Sequence, residues 1–391
     1  MLSKVLFSTS LLVSLLAAVS AKKGLLAAYF AAYDKNATID WEVIDIGYHF
    51  GAVTSKDGIA FAENGIRNGI EKFVSDAHSK KKKAVLSIGG YEGSVYFSTL
   101  VRTKSARAKF VKQICGLIKK YGWDGVDFDW EFPNALGSPA NVVDSSDSAN
   151  LLKFLQELRH TLPHAWISMA VSVNGIFGPD GMTLTDYKPF ADVLNGANVM
   201  AYDYIGAWTR KTGSDSPSQR CGTGRSYITD VEGYTNAGFP PGKILLGVPS
   251  FGKSFILQKK TLHTQSVHGD QTPPIKYWSR IAQKYDNFTG SEYTYVKLKE
   301  LGILEGELGV TAGKGYERHY DHCTRTPFVF NPSTKTFITY LDARSAAYRA
   351  QRSVEEKYLG VSVFTSAGFD DFVFNAIDTA LKTPIGGFPS P

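Results

Sequence analysis

Four carboxylates fall within eight residues at Asp124-Gly125-Val126-Asp127-Phe128-Asp129-Trp130-Glu131. The Val, Phe and Trp between them favour a buried strand. In a strand, residues two apart share a face, and each residue rises about 3.3 Å. Asp127, Asp129 and Glu131 therefore form one row, with neighbours about 6.6–7 Å apart. Like charges in a low dielectric cannot all ionise cheaply, so one carboxyl is pushed towards keeping its proton. That is the state a general acid needs near neutral pH. The alternative is a purely structural network of buried carboxylates, or a cation site. Magnesium or calcium could use such oxygens, but no phosphate loop and no calcium-loop pattern accompanies them. We therefore expect no metal and no cofactor.

A second cluster joins the first. Met200-Ala201-Tyr202-Asp203-Tyr204 closes another apolar run and is followed by Gly206-Ala207-Trp208. Tyr202 brings a phenol and Asp203 a carboxylate to the same rim. Tyr29, Tyr33, Phe50 and Tyr91 end three further runs. Aromatic faces with carboxylates between them describe a sugar-binding cleft, in which rings stack on pyranose faces while carboxylates take hydroxyls or amides. Any one of these aromatics also reads as ordinary core; the group is stronger than its members.

The elements that must position these residues follow from hydrophobic patterning. Short apolar runs occur at 25–33, 43–53, 83–91, 125–131, 166–172, 198–204, 243–252 and 359–367, each short enough to be a strand. Helical periodicity fills most gaps, as at Ser105 to Tyr121, Ala149 to Leu162 and Ala343 to Tyr358. Strands alternating with helices imply parallel pairing, and continuous apolar runs imply strands covered on both faces. The pattern predicts an α/β fold, a (β/α)8 barrel, with a doubly wound open sheet as the competitor. In a barrel, Glu131 would stand at the C-terminal mouth, where such folds place active sites, and Asp127 would lie deepest. Gly125 marks a close approach at the base of the strand. The rhythm breaks once, between Lys253 and Leu341, a span too long for a structureless loop. We read residues 253–341 as a small α+β insertion in the seventh unit, its Tyr and Phe suited to a cleft wall.

Composition sets the outer bounds. The 391 residues are 43% hydrophobic and 20% charged, as in a soluble globular protein. A formal charge of +6 is mild for this length and gives no expectation of nucleic-acid binding. Lys80 to Lys83 read as a solvated helix C-terminus leading into a strand rather than a nuclear signal. Lys4, the apolar stretch Leu11 to Val19 and the small residues Val19-Ser20-Ala21 form a secretory leader over residues 1–21. The apolar stretch falls short of the roughly 20 residues that span a bilayer. The expectation is a secreted, extracellular monomer over residues 22–391, without membrane attachment. Of the three cysteines, Cys115 lies in a helical pattern as a small hydrophobe, whereas Cys221 and Cys323 sit in loop-like surroundings and could pair. Asn36-Ala37-Thr38 and Asn287-Phe288-Thr289 are N-glycosylation candidates.

Here the motifs resemble a known family. Asp124 to Glu131 is similar to the DGxDxDxE signature of glycoside hydrolase family 18, the chitinases. Ser87-Ile88-Gly89-Gly90 resembles the family's third-strand SxGG, Met200 to Asp203 its MxYD, and Gly247-Val248-Pro249-Ser250-Phe251-Gly252 its seventh-strand element. The motifs occur in order, and the insertion falls where many members carry a groove-deepening subdomain. The resemblance implies substrate-assisted, retaining hydrolysis of β-1,4-linked N-acetylglucosamine in chitin and chito-oligosaccharides, an exception to the two-carboxylate scheme. Glu131 would protonate the glycosidic oxygen while the substrate's acetamido carbonyl attacks the anomeric carbon. Asp129 would orient the acetamido N–H, with Asp127 holding Asp129 from below. Tyr202 would donate to the acetamido oxygen, and Asp203 would contact the same sugar. Tyr91 and Trp208 would line the aglycone side and Tyr33 the other, with Tyr29, Phe50, Gly90, Met200, Phe251 and Phe364 completing the binding set.

The chain also departs from the family pattern. Phe132 replaces the usual Tyr after the acid, Phe251 and Lys253 stand where Tyr and Arg are common, and Phe364 stands near the usual eighth-strand Trp. Each lost hydroxyl removes a hydrogen bond worth about 0.5–1.5 kcal/mol. Two alternatives to an active chitinase follow: a chitin-oligosaccharide-binding protein with little hydrolysis, and an endo-β-N-acetylglucosaminidase acting on N-glycans.

Overall fold

The computed structural model describes residues 24–61, 69–221, 224–270 and 275–383; the leader expected over residues 1–21 lies outside them. Every one of the eight apolar runs overlaps a strand of one closed parallel barrel. These strands are β1 (Leu25–Ala31), β2 (Ile46–Ser55), β4 (Lys83–Gly89), β5 (Gly125–Asp129), β6 (Trp166–Ser172), β7 (Gly196–Met200), β8 (Ile244–Pro249) and β18 (Gly360–Phe364). Their order is β1-β18-β8-β7-β6-β5-β4-β2, and β1 pairs with β2 to close the ring, which excludes the open sheet. A short β3 (Gly58–Phe61) folds back on β2 as a hairpin beyond the run read at 43–53.

The helices pack outside this ring: α1 (Ile70–Ser79), α2 (Phe97–Val101), α3 (Lys104–Tyr121), α4 (Asp147–Thr161), α5 (Lys188–Val193) and α6 (Tyr227–Asn236). After α7 (Tyr295–Glu300), which belongs to the insertion, come α8 (Ala343–Glu355) and α9 (Asp371–Lys382). Local chemistry sets several ends. Thr103 caps α3 by accepting from the Ala106 N–H at 3.1 Å, and Gly122 closes it in the left-handed conformation at φ 76°. Asp342 and Ser345 form a reciprocal capping box on α8. Beyond α1, Lys80 pairs with Glu42, and Lys82 pairs with Asp45 at 2.7 Å before β4 begins at Lys83.

Alternation along β5 produces the site. Val126, Phe128 and Trp130 face the helices, where Phe110 and Phe154 stack at 5.0 Å and Phe97 and Trp130 at 5.2 Å. Burying each such aromatic contributes about 2–3 kcal/mol. Asp127 and Asp129 are thereby forced inward, among Ala27, Tyr29, Tyr48, Val85 and Leu245.

Between β8 and α8 the chain builds a separate layer. A five-stranded antiparallel sheet runs β12-β9-β17-β16-β15, formed by β9 (Phe251–Leu257), β12 (Tyr285–Thr294), β15 (Glu317–Asp321), β16 (Thr326–Asn331) and β17 (Thr336–Thr339). Two ribbons flank it, β10 (Gln265–His268) with β11 (Lys276–Ser279), and β13 (Leu304–Glu305) with β14 (Thr311–Ala312). Phe255, Leu257, Ile281, Phe328, Phe330 and Phe337 form its own core, joined by Ile205 from the loop after β7. The layer starts at Phe251, two residues before the span read from sequence, because β9 follows β8 after only one residue. Cys221 and Cys323 are disulfide-bonded with Cα atoms 5.8 Å apart, tying the β7 loop to this layer. Cys115 is a half-buried free thiol on α3. Asn36 and Asn287 are both exposed, in the turn after β1 and on β12.

Candidate active site

Gly125 lets the acidic strand approach β6 closely: a Cβ there would lie 1.9 Å from the Trp166 carbonyl oxygen. Two residues on, Asp127 is completely buried. Its Oδ2 accepts from the Tyr29 hydroxyl at 3.0 Å and the Ser87 hydroxyl at 2.9 Å. Its Oδ1 accepts from the Ser168 hydroxyl at 2.7 Å and the Asn198 amide at 3.0 Å. Parallel register explains the set, because Ser87 and Ser168 lie directly beside Asp127 on the two neighbouring strands. Burial still raises its pKa, with these hydrogen bonds opposing.

Asp129 ends β5. Its carbonyl oxygen accepts from the Gly90 N–H at 2.8 Å and lies 3.0 Å from the Ser94 hydroxyl. Its side chain differs from that of Asp127, for Oδ1 is buried and has no hydrogen-bond partner. Glu131 stands just beyond the strand. Its N–H donates to Ser94 Oγ at 3.0 Å, and its carbonyl accepts from the Asn141 amide at 2.6 Å, so the backbone is fixed while the carboxyl points into the cleft.

That cleft, about 610 Å³, gathers the acids and aromatics that the sequence singled out. Tyr33, Tyr91 and Trp208 line it while remaining 59%, 52% and 67% exposed. Lower down, Tyr29 and Phe50 lie 5.5 and 5.7 Å from Phe364, and Tyr202 lies 5.6 Å from Phe251. Gly90 and Met200 complete the lining. At Gly90 a Cβ would come within 2.5 Å of the Phe50 ring, and φ is +90°, so glycine is required twice over. Asp127 is not in contact with the cleft; it lies beneath it. Asp203 adopts φ 61°, a left-handed conformation that Asp tolerates, and its carboxylate meets Lys253 Nζ at 2.7 Å on the cleft wall.

The electrostatics separate the three carboxyls. Burial, then the Asp203 charge, pushes Glu131 up to about 7. Burial, then Glu131 and Asp127, holds Asp129 well above the usual carboxylate range. Burial and the surrounding acids likewise keep the Tyr202 phenol protonated.

The structure adds detail to three of these residues. Asp127 lies on the same face of β5 as Asp129, deeper in the barrel; four donors occupy its oxygens, and its charge is one of the causes that raise Asp129. Tyr29 lines the floor of the cleft as expected, though it is only 3% exposed and its hydroxyl also serves Asp127. Phe132 does not line the cleft; it turns away to a narrow hollow with Trp130, Pro133, Gly175 and Ile176.

Sequence reasoning missed Ser168, Asn198, Ser94 and Arg349. The first two carried a weak signal, as polar residues inside otherwise apolar strands. Arg349 is completely buried and donates to the Ala201 carbonyl at 3.1 Å and the Ser216 carbonyl at 3.0 Å, fixing the turn that presents Tyr202.

A closed parallel barrel with an acid whose pKa is raised to about 7, a buried carboxyl and an aromatic-walled groove at its mouth has the layout of a glycosidase. The chain belongs to the glycosyl hydrolases family 18, whose profile matches residues 26–369. It is 32% identical over 349 residues to a chitinase-like effector of Moniliophthora roreri, covering 83% of this chain and 84% of that protein. It is 25% identical over 305 residues to chitinase A1 of Niallia circulans, covering 72% of this chain and 40% of that longer protein. The crystal structure of a chitinase from Rhizomucor miehei shares the fold at a TM-score of 0.77 and 23% identity, covering 91% of this chain and 99% of that one.

Proposed function

We propose that the protein is a secreted chitinase that cleaves β-1,4-linked N-acetylglucosamine chains with retention of configuration. The observation that carries this reading is the division of labour at the mouth of β5. Glu131 faces the cleft with a pKa near neutrality, and Asp129 beside it keeps a buried oxygen without a partner. Glu131 donates its proton to the glycosidic oxygen as the bond to the anomeric carbon breaks. The substrate's acetamido oxygen forms the new bond to that carbon, giving an oxazolinium ion. Asp129 Oδ1 receives the acetamido N–H, and the Tyr202 hydroxyl donates to the acetamido oxygen. Water then adds to the anomeric carbon as the bond from that carbon to the acetamido oxygen breaks, and gives a proton to Glu131, releasing a β-anomer. The leader over residues 1–21 supports the extracellular setting, and the relatives named chitinase support the substrate class.

A second reading, oligosaccharide binding with little turnover, is favoured by the relative named a chitinase-like effector and by Phe251 and Phe364 in the cleft. The test is incubation of the secreted protein with N-acetylglucosamine hexamer beside Glu131→Gln, with anomer-resolved chromatography. We expect short β-anomers from the wild type and a loss of at least about 1000-fold in the variant, which still binds. Equal, negligible cleavage by both with retained binding selects the second reading.

A further inference from the structure

The six tryptophans divide sharply. Trp41, Trp123 and Trp130 are buried and Trp166 is half-buried, whereas Trp208 is 67% and Trp278 70% exposed. Trp208 lines the catalytic cleft. Trp278 lies elsewhere, on the β10–β11 ribbon of the insertion layer. The ribbon alternates cleanly: Gln265, Val267 and Tyr277 are half-buried and Ser279 is buried, while Ser266, His268, Lys276 and Trp278 face solvent. The indole forms one wall of a separate hollow of about 250 Å³, with Thr264, Arg280, His319 and Tyr320 around it. None of its lining residues belongs to the cleft.

The hollow is a built site rather than a stray exposed ring. Arg280 Nε donates to Thr264 Oγ1 at 3.1 Å, which sets the guanidinium beside the ribbon. His319 stacks on Phe328 at 5.0 Å, which holds the imidazole flat against the hydrophobic core of the layer. The Tyr320 ring lies under the Arg344 guanidinium at 4.1 Å, so it too has a fixed place. An exposed indole, with Lys276 Nζ 5.7 Å from its ring centre and Arg280 and His319 beside it, matches a pyranose ring, which offers one apolar face and a rim of hydroxyls and amide oxygens. The catalytic cleft pairs an exposed indole with polar groups in the same way.

We propose that Trp278 and its hollow form a second glycan-binding site, which holds an N-acetylglucosamine chain on the surface of insoluble chitin while the cleft engages another. The inference rests on the chitin reading of the cleft. Two sites sharing one solid support act by effective concentration, so losing one weakens attachment to the solid and leaves small soluble ligands unaffected.

The test uses the full secreted chain carrying Glu131→Gln, to stop hydrolysis, with Trp278→Ala or Trp278→Phe added. The probes are particulate chitin and soluble N-acetylglucosamine tetramer. We expect Trp278→Ala to weaken chitin binding about tenfold or more, Trp278→Phe to restore most of it, and tetramer affinity in the cleft to stay unchanged. Undiminished chitin binding by Trp278→Ala overturns the second site. An equal loss of tetramer affinity also overturns it, because the residue would then act through the cleft. If the parent binds neither probe, the cleft reading fails and takes this inference with it.

Discussion

The two ends of the acidic strand carry the same chemical group in opposite circumstances. At the deep end, Asp127 receives four hydrogen bonds: two from its neighbouring strands β4 and β6, one from β7 and one from Tyr29 on β1. At the mouth, Glu131 has its backbone pinned by Ser94 and Asn141, while its carboxyl faces the cleft with burial and the Asp203 charge opposing ionisation. The deep carboxyl is committed to the barrel, and the shallow one is held ready for a proton transfer. Burial alone does not make an acid functional; what matters is whether donors have already claimed its oxygens.

Removing each group should expose the contrast most strongly in stability. Asp127→Ala leaves two serine hydroxyls, a phenol and an amide without their acceptor inside the barrel. The expected cost is about 3–5 kcal/mol, read as a lower urea midpoint at unchanged slope. Glu131→Ala removes a carboxyl whose ionisation the fold opposes, and should leave stability at pH 7 unchanged or raised. Similar losses for the two variants would erase the distinction between structural and poised carboxyls.

The next effect is a dependence on pH. Glu131 has a folded pKa of about 7, above its ordinary 4.5, so the fold favours the protonated acid. Its contribution to stability is fully present below about pH 4.5 and is lost as pH rises through 7. Glu131→Gln cannot titrate. The variant should gain on the wild type by as much as about 3 kcal/mol between pH 4 and pH 8. Urea denaturation at the two pH values measures that gain. A constant difference would place the raised pKa elsewhere in the row.

The contrast also explains how far the sequence could be read. Two-residue alternation along Asp127, Asp129 and Glu131 is a property of one strand, so the row and its inward direction were legible from a single stretch. The repeating β/α rhythm made the eight barrel strands legible in the same way. The donors to Asp127 were not, because Ser168 and Asn198 reach it only through the register of β6 and β7, which no single segment states. Phe132 misled for a related reason: adjacency to Glu131 in the chain suggested a place in the cleft, but the backbone beyond the strand turns it towards Gly175 and Ile176. The insertion has no repeated unit, and its outward Trp278 emerges only once β10 and β11 are paired.

A smaller effect sharpens the account of the mouth. Lys253 Nζ lies 2.7 Å from the Asp203 carboxylate, and Asp203 is itself the charge that helps raise Glu131. Lysine here is a compact cation that damps the field of Asp203 at its source. Lys253→Met strips away that compensation, so Asp203 repels the Glu131 anion more strongly and the acid holds its proton longer. The alkaline limb of the kcat/KM profile on N-acetylglucosamine hexamer should move up, by less than about one pH unit, because Asp203 is 47% exposed and water screens it. Lys253→Arg keeps the charge and should leave the limb in place. A limb that moves down in Lys253→Met would mean that the cation acts on Glu131 otherwise than through Asp203. Reading the same shift in the stability profile separates the electrostatics from any change in how the hexamer binds.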